Sequence, residues 1–200
     1  MISLPAAHAK SADAGWQDEI GELDAALYGA IAATPTPALD HYFRGLSRAA
    51  DHSKLWIGAA GVVAATGGRR GRRAAVNGLA SIALSSAVVN LLVKPVSRRR
   101  RPDRRGHDVP FARRVAMPRS TSFPSGHAAS AFAFAAGVGI ALPRAGLPLS
   151  AAAALVAYSR VHTGVHYPSD ATAGSVIGAG LAPAVVAGLD RRRSASLVSR

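Results

Sequence analysis

Between Arg73 and Lys94 the chain runs for twenty residues, Ala74–Val93, without one charged side chain. A helix of that length rises about 30 Å, the thickness of a bilayer's hydrocarbon core, so this stretch directs the fold towards a membrane helix. In hydrocarbon every backbone amide must be satisfied within its own segment, which a helix achieves and an isolated strand does not. The two asparagines in the run, Asn77 and Asn90, are expected to face other helices rather than lipid.

Four further apolar segments follow the same logic: Leu55–Gly68, Ala128–Leu142, Leu147–Tyr158 and Ala171–Leu189. The expected fold is all-α, a polytopic membrane bundle of about five transmembrane helices. Leu55–Gly68 is short for a span, so four spans with a re-entrant first helix stay open beside five. Residues 1–54 are less apolar. In the segment Trp16–Thr34, Ile20, Leu23, Ala26, Leu27 and Ile31 recur near helical spacing among acidic residues, which predicts an amphipathic helix on the membrane or on the protein. A break at Thr34–Pro37 precedes a second polar helix through Asp40–Ala50. The domain organisation read from this pattern is 1–54, interfacial helices; 55–190, the membrane-embedded unit; and 191–200, a polar basic tail.

The charge balance points the same way. The formal net charge is +13 while 49% of residues are hydrophobic, the mean hydropathy is +0.17 and the pI about 11.5. The arginines lie between apolar runs, as expected of headgroup-level cations, and not on the soluble face or tail of a nucleic-acid binder, so no nucleic-acid partner is expected. Cysteine is absent, which removes disulfides, thiolate metal sites and a cysteine nucleophile. The N-terminus, MISLPAAHAK, lacks the apolar core of a signal peptide, so insertion is expected to rest on the internal segments.

Three polar motifs sit at the ends of these apolar segments. The first is Lys94 followed seven residues later by Arg101-Pro102; Pro95 disfavours helix at Lys94, so a helix ending there with the chain bending back aims both cations at one anion. By itself this also reads as a basic cluster for anionic lipid. The second, Pro124-Ser125-Gly126-His127, opens an apolar helix, where first-turn amides and the helix dipole attract an anion. The third is Ser159-Arg160, then His166, then Asp170. There a guanidinium can hold an anion while an imidazole, oriented by a carboxylate, attacks it. Tracing the helices through a bilayer brings all three motifs to one face.

In this order, K-x6-RP, PSGH and SR-x5-H-x3-D, the motifs resemble those of the type 2 phosphatidic acid phosphatase superfamily over roughly residues 55–190. The resemblance implies that His166 is the nucleophile taking the phosphoryl group and that Asp170 orients it. It implies that His127 protonates the leaving oxygen and then activates water. Lys94, Arg101 and Arg160, with the Ser125 hydroxyl and the Gly126 amide, are implied to hold the phosphate oxygens, with no metal or other cofactor. Arg98, Arg99 and Arg100 compete with Arg101 on composition, and only the motif register favours Arg101. His162 falls outside the motif and is read as a lining residue.

The implied activity is a lipid phosphate phosphatase acting through a phosphohistidine. A polyprenyl (pyro)phosphate or a polyprenyl phosphoribose phosphate is favoured, with phosphatidic acid and phosphatidylglycerol phosphate as further candidates. Two rival readings are a vanadate-dependent haloperoxidase-like enzyme and a non-catalytic membrane protein that binds anionic lipid. Arginines outside the motifs, at Arg69–Arg73, Arg144 and Arg191–Arg193, put the active face outward by the positive-inside rule, in a multi-pass protein of the cell membrane.

Overall fold

A computed structural model describes residues 15–198; the sequence expectations on residues 1–14, and on residues 199 and 200 of the basic tail, lie outside them. Among the described residues the regular structure is all helical, without a strand. We number the helices α1 Trp16–Ala33, α2 Pro37–Ala49, α3 Lys54–Thr66, α4 Gly68–Ser97, α5 Gly126–Ala141, α6 Pro143–His162 and α7 Pro168–Val198.

The 16-residue helix α5 stands at the centre, packed by α4, α6 and α7. That position explains its composition, since a helix covered all round carries apolar side chains all round. Ala131, Phe134, Ala135 and Val138 meet Trp56 and Ala60 of α3, Ala74 and Ile82 of α4, and Ala153 and Val156 of α6 in one core. On the α7 side the approach is closer still. A side chain at Gly174 would lie 2.4 Å from the Ser125 carbonyl oxygen, and one at Gly178 would lie 2.1 Å from that of Ala129. Only glycine permits this backbone contact. Gly180 faces open space and takes no part.

Two helices, Gly68–Ser97 and Pro168–Ser196, are long and apolar enough to cross a membrane, and Gly126–Ala141 is apolar but shorter. Their outer faces are apolar too: Leu91 is 72% exposed, Leu92 65% and Val176 66%. Such a surface suits lipid and not water.

Three boundaries differ from expectation. The helix predicted to end at Lys94 continues to Ser97, through a π-helical turn at Val88–Val93. The wider turn just ahead of Pro95 gives its ring room that a regular α-helix denies, so the proline does not end the helix. The chain turns instead at Arg98, in the left-handed region at φ 45°. Next, α6 begins at Pro143, where a turn was expected, because proline fits a first helical position and Gly139 lies against Gly146 across a very tight hairpin. Finally, α7 carries Arg191–Arg193 on the helix and runs to Val198.

The first helices also differ in orientation. Helix α1 packs through Asp24, Tyr28 and Ala32, while Ile20, Leu23 and Leu27 lie exposed on the other side. Helix α2 buries Asp40, Phe43 and Ser47.

Candidate active site

The ends of α4, α5, α6 and α7 meet at one rim of the bundle, joined by the loop after Ser97 and the turn 163–167. Beyond the left-handed residue Arg98 the chain leaves the helix without regular structure, and burial alternates along it. Arg98 and Arg100 are exposed, while Arg99 and Arg101 turn inward. Two of the four arginines are thereby selected by geometry.

Arg101 reaches the turn: its Nη1 lies 3.2 Å from His166 Nε2 and donates to the Val165 carbonyl at 2.6 Å. Its other nitrogens donate to the carbonyls of Ser120 and Thr121, at 2.9 and 3.1 Å. The guanidinium is thus locked in orientation beside the imidazole. Lys94 approaches from α4, with Nζ 3.3 Å from Ser120 Oγ and 3.6 Å from where a side chain at Gly126 would begin. Ser120 Oγ also accepts from Arg101 Nη2 at 3.2 Å, so one hydroxyl bridges both cations.

His166 is buried in the turn between α6 and α7. Its amide and that of Val165 donate to the Arg160 carbonyl, fixing the turn to the last helical turn of α6. The ring faces Asp170 with Nδ1 3.5 Å from Oδ2, an electrostatic contact longer than a hydrogen bond. Burial, assisted by the charges of Arg101 and Arg160 and opposed by Asp170, pushes the His166 imidazole down to about 4. At neutral pH the ring is therefore uncharged, the form that can act as a nucleophile.

Asp170 is fully buried and well supplied with donors: Arg99 Nη1 at 2.8 Å, the Tyr167 amide at 2.9 Å and the Ser122 hydroxyl. Burial of a carboxylate is affordable only with such partners. Arg99 also holds Asp24 of α1 and stands 4.5 Å over the Tyr167 ring. Asp24 in turn accepts from the amide and hydroxyl of Ser169.

At the head of α5, Ser125 is buried, its amide bonded to the Asp170 carbonyl and its hydroxyl accepting from Ala128 N at 3.5 Å. The hydroxyl thus caps the helix in this geometry. His127, one residue inside, lies with Nε2 2.8 Å from Asp51 Oδ1. Arg160 is buried, with Nη1 donating to Ser47 Oγ at 2.5 Å and standing 3.9 Å from the same Asp51 oxygen. Among the described residues its Nε has no hydrogen-bond partner. The structure thus gathers Lys94, Arg101, Ser125, Gly126, His127, Arg160, His166 and Asp170 at one rim.

His162 turns away from it. Its Nε2 meets Thr36 Oγ1 at 3.0 Å, and its ring packs against Phe43 and Tyr158. Sequence reasoning named Arg99 as a rival to Arg101 and not as the partner of Asp170, and it missed Ser120, Ser122, Asp24, Ser47 and Asp51. The hydroxyl run Ser120-Thr121-Ser122 just before Pro124-Ser125-Gly126-His127 was a usable signal for two of them; the acidic residues of the first helices offered none.

The PAP2 superfamily model matches residues 74–194. The decaprenylphosphoryl-5-phosphoribose phosphatase of Mycobacterium tuberculosis is 39% identical over 137 residues, 68% of this chain and 72% of that one. A lipid A 1-phosphatase of Rhizobium johnstonii is 36% identical over 105 residues, covering 50% of this chain and 41% of its own length. Among solved structures, Aquifex aeolicus LpxE superposes with a TM-score of 0.68 at 24% identity, over 82% of this chain and 94% of that one. The transmembrane PAP2-type phosphatidylglycerolphosphate phosphatase of Bacillus subtilis superposes with a TM-score of 0.65, again at 24% identity, over 88% of each chain.

Proposed function

This chain belongs to the PAP2 superfamily, and on that premise we propose that it is an integral-membrane lipid phosphate phosphatase working through a phosphohistidine. In the first step His166 Nε2 attacks phosphorus, the bond from phosphorus to the lipid oxygen breaks, and His127 gives that oxygen a proton. In the second, His127 takes a proton from water as the water oxygen attacks phosphohistidine; inorganic phosphate leaves and His166 is restored. Lys94, Arg101 and Arg160 neutralise the equatorial oxygens and the Gly126 amide adds a donor, the work that such a loose transition state demands most. These fixed cations supply what a divalent ion supplies elsewhere. Proton donation by His127 contributes about 10²–10⁴-fold, because an alkoxide is a poor leaving group.

The observation that carries the reading is the pairing at His166: a buried neutral imidazole with Arg101 3.2 Å from Nε2 and Asp170 on the other nitrogen. His166→Ala is expected to abolish phosphate release from a lipid phosphate in detergent; full turnover in that variant rejects the mechanism. For the substrate we favour a polyprenyl phosphoribose phosphate, on the strength of the mycobacterial relatives. A panel of that lipid, a polyprenyl pyrophosphate, phosphatidic acid and phosphatidylglycerol phosphate, with phosphate release as the readout, is expected to rank it first.

Helices α3 to α7 are read as five crossings, with the active rim outward in the cell membrane. Supporting this, Arg73 pairs with Asp190 at 2.6 Å and Arg193 reaches Asn77 at 3.3 Å, so basic residues gather at the far end of α4 and α7. The positive-inside rule makes that end cytoplasmic. Because the sequence holds no cysteine, single cysteines at Arg119 and Arg144 test it directly. An impermeant maleimide on whole cells is expected to label the first position and spare the second; the reverse pattern inverts the topology.

A further inference from the structure

One carboxylate at the rim comes from outside the region the family model matches and has no part in the three motifs. Asp51 lies in the 3-10 turn Asp51–Ser53 that joins α2 to α3, and its Oδ1 meets His127 Nε2 at 2.8 Å. The next two residues both adopt left-handed backbone, His52 at φ 55° and Ser53 at φ 59°. Neither is glycine, so each carries a steric penalty that a side chain meets in that region. Strain of this kind persists only where surrounding structure holds it, and here it aims a carboxylate at an imidazole. The turn is fixed from both sides: Ser47, just before it in α2, accepts from Arg160, whose Nη1 stands 3.9 Å from Asp51 Oδ1.

We propose that Asp51 is the positioning residue for His127. An ionised carboxylate can only accept, so the hydrogen between them is on Nε2, and Nδ1 is left as the nitrogen that exchanges its proton with the leaving oxygen and then with water. The rest of the surroundings make this partner necessary. Arg160 faces the ring from α6, His166 faces it from the turn before α7, and Lys94 Nζ stands beside Gly126, the residue before it. The first step needs a second proton on His127 and the second needs the ring to accept one, and Arg160 and Lys94, being cations, offer no acceptor for it. Asp51 is the anion in direct contact with the ring among the described residues. The rim thus contains two imidazole–carboxylate pairs of opposite purpose: His166 with Asp170 for attack, and His127 with Asp51 for proton transfer.

The proposal rests on the phosphatase reading above and is tested separately from it. Kinetics of the purified protein, Asp51→Asn and Asp51→Glu are compared on a polyprenyl phosphate and on p-nitrophenyl phosphate. Asp51→Asn is expected to lower kcat for the lipid about 10–100-fold with KM within a few-fold, and to move the alkaline limb of the kcat profile to lower pH. The aryl ester, whose leaving group needs no proton, is expected to lose less, and Asp51→Glu to recover part of the rate. An unchanged kcat overturns the proposal. So does a raised kcat with a lowered KM, which marks a carboxylate that merely occupies the phosphate seat. Equal losses on both esters with an unmoved pH profile reduce Asp51 to a structural part and also overturn it. If Asp51→Asn does not fold, Asp51→Glu decides on the same two substrates, unaltered leaving-group dependence and pH profile counting against. A wild-type protein inactive on every lipid phosphate sinks the phosphatase reading instead.

Discussion

Asp24 and Asp170 occupy the two prongs of one guanidinium: Arg99 Nη2 lies 2.5 Å from Asp24 Oδ2, and Nη1 lies 2.8 Å from Asp170 Oδ1. An amphipathic helix from the start of the chain is thereby fastened to the carboxylate that faces His166. Both acids are almost wholly buried, so neither tolerates loss of the cation.

Arg99→Met is therefore expected to cost about 3 kcal/mol of stability, the scale for stranding a buried charge, and to lower kcat through Asp170. Arg101→Met removes a group bonded mainly to carbonyl oxygens, so it is expected to unfold nearer the wild-type temperature while raising KM far more. Thermal unfolding in detergent beside steady-state kinetics checks this. The opposite ranking refutes the division between the two arginines.

Gly178→Ala sets a methyl group 2.1 Å from the Ala129 carbonyl oxygen, and Gly174→Ala sets one 2.4 Å from that of Ser125. Each is expected to lower stability by about 1–3 kcal/mol as α7 is forced away from α5, and Gly174→Ala to damage activity as well because it displaces the head of α5. Gly180→Ala meets nothing within 4 Å and is expected to be neutral or slightly stabilising. Equal losses at the three positions would contradict the close α5–α7 crossing.

His166 titrates near 4 when folded and near 6.5 when not, so between those values the unfolded chain holds the extra proton. Stability linked to this group is complete above about 6.5 and is lost as pH falls towards 4. In ¹⁵N imidazole spectra, the signals absent from His166→Asn are expected to remain those of a neutral ring at pH 5. A signal that titrates like an ordinary histidine would contradict the burial argument.

Arg113 is fully buried and holds the link between the first two helices: Nε donates to Asp40 Oδ1 at 2.7 Å, Nη1 to the Ile31 carbonyl and Nη2 to the Thr34 carbonyl and Thr36 Oγ1. Arg113→Met is expected to cost about 3–5 kcal/mol and to open residues 34–53 to protease. Activity falls with it, since Asp24, Ser47 and Asp51 all reach the rim from helices α1 and α2 or the turn that follows. Intact protease resistance would show that these helices are held by something else.

The apolar helices could be read from Ala74–Val93 and its counterparts because burial in a bundle or in lipid leaves a long local signature. The motif residues could be read because their chemistry is specific to their spacing. Arg101 could be read through the motif register, but the inward turn of Arg99 could not, since it depends on a left-handed Arg98, and arginine announces no such conformation. Nor could the contributions of Asp24, Ser47 and Asp51. Each is an isolated polar residue on a helix face or turn, and its partner lies far along the chain, at Arg99, Arg160 or His127, so no periodicity marks it. The run of α4 past Pro95 was hidden for the same reason, because a π-helical turn has no residue signature of its own.

That turn, at Val88–Val93, has a consequence for what this helix can do. A π-helical turn accommodates roughly one additional residue, and one residue is about 100° of helical rotation. The first two thirds of α4 can thus keep a core-facing register set by the buried Ala74 and Ile82, while Lys94 beyond the turn is swivelled independently towards phosphate. Excising a single residue there would restore a regular α-helix and spin the lysine a quarter-turn or more out of alignment, disconnecting catalysis from a scaffold left otherwise whole.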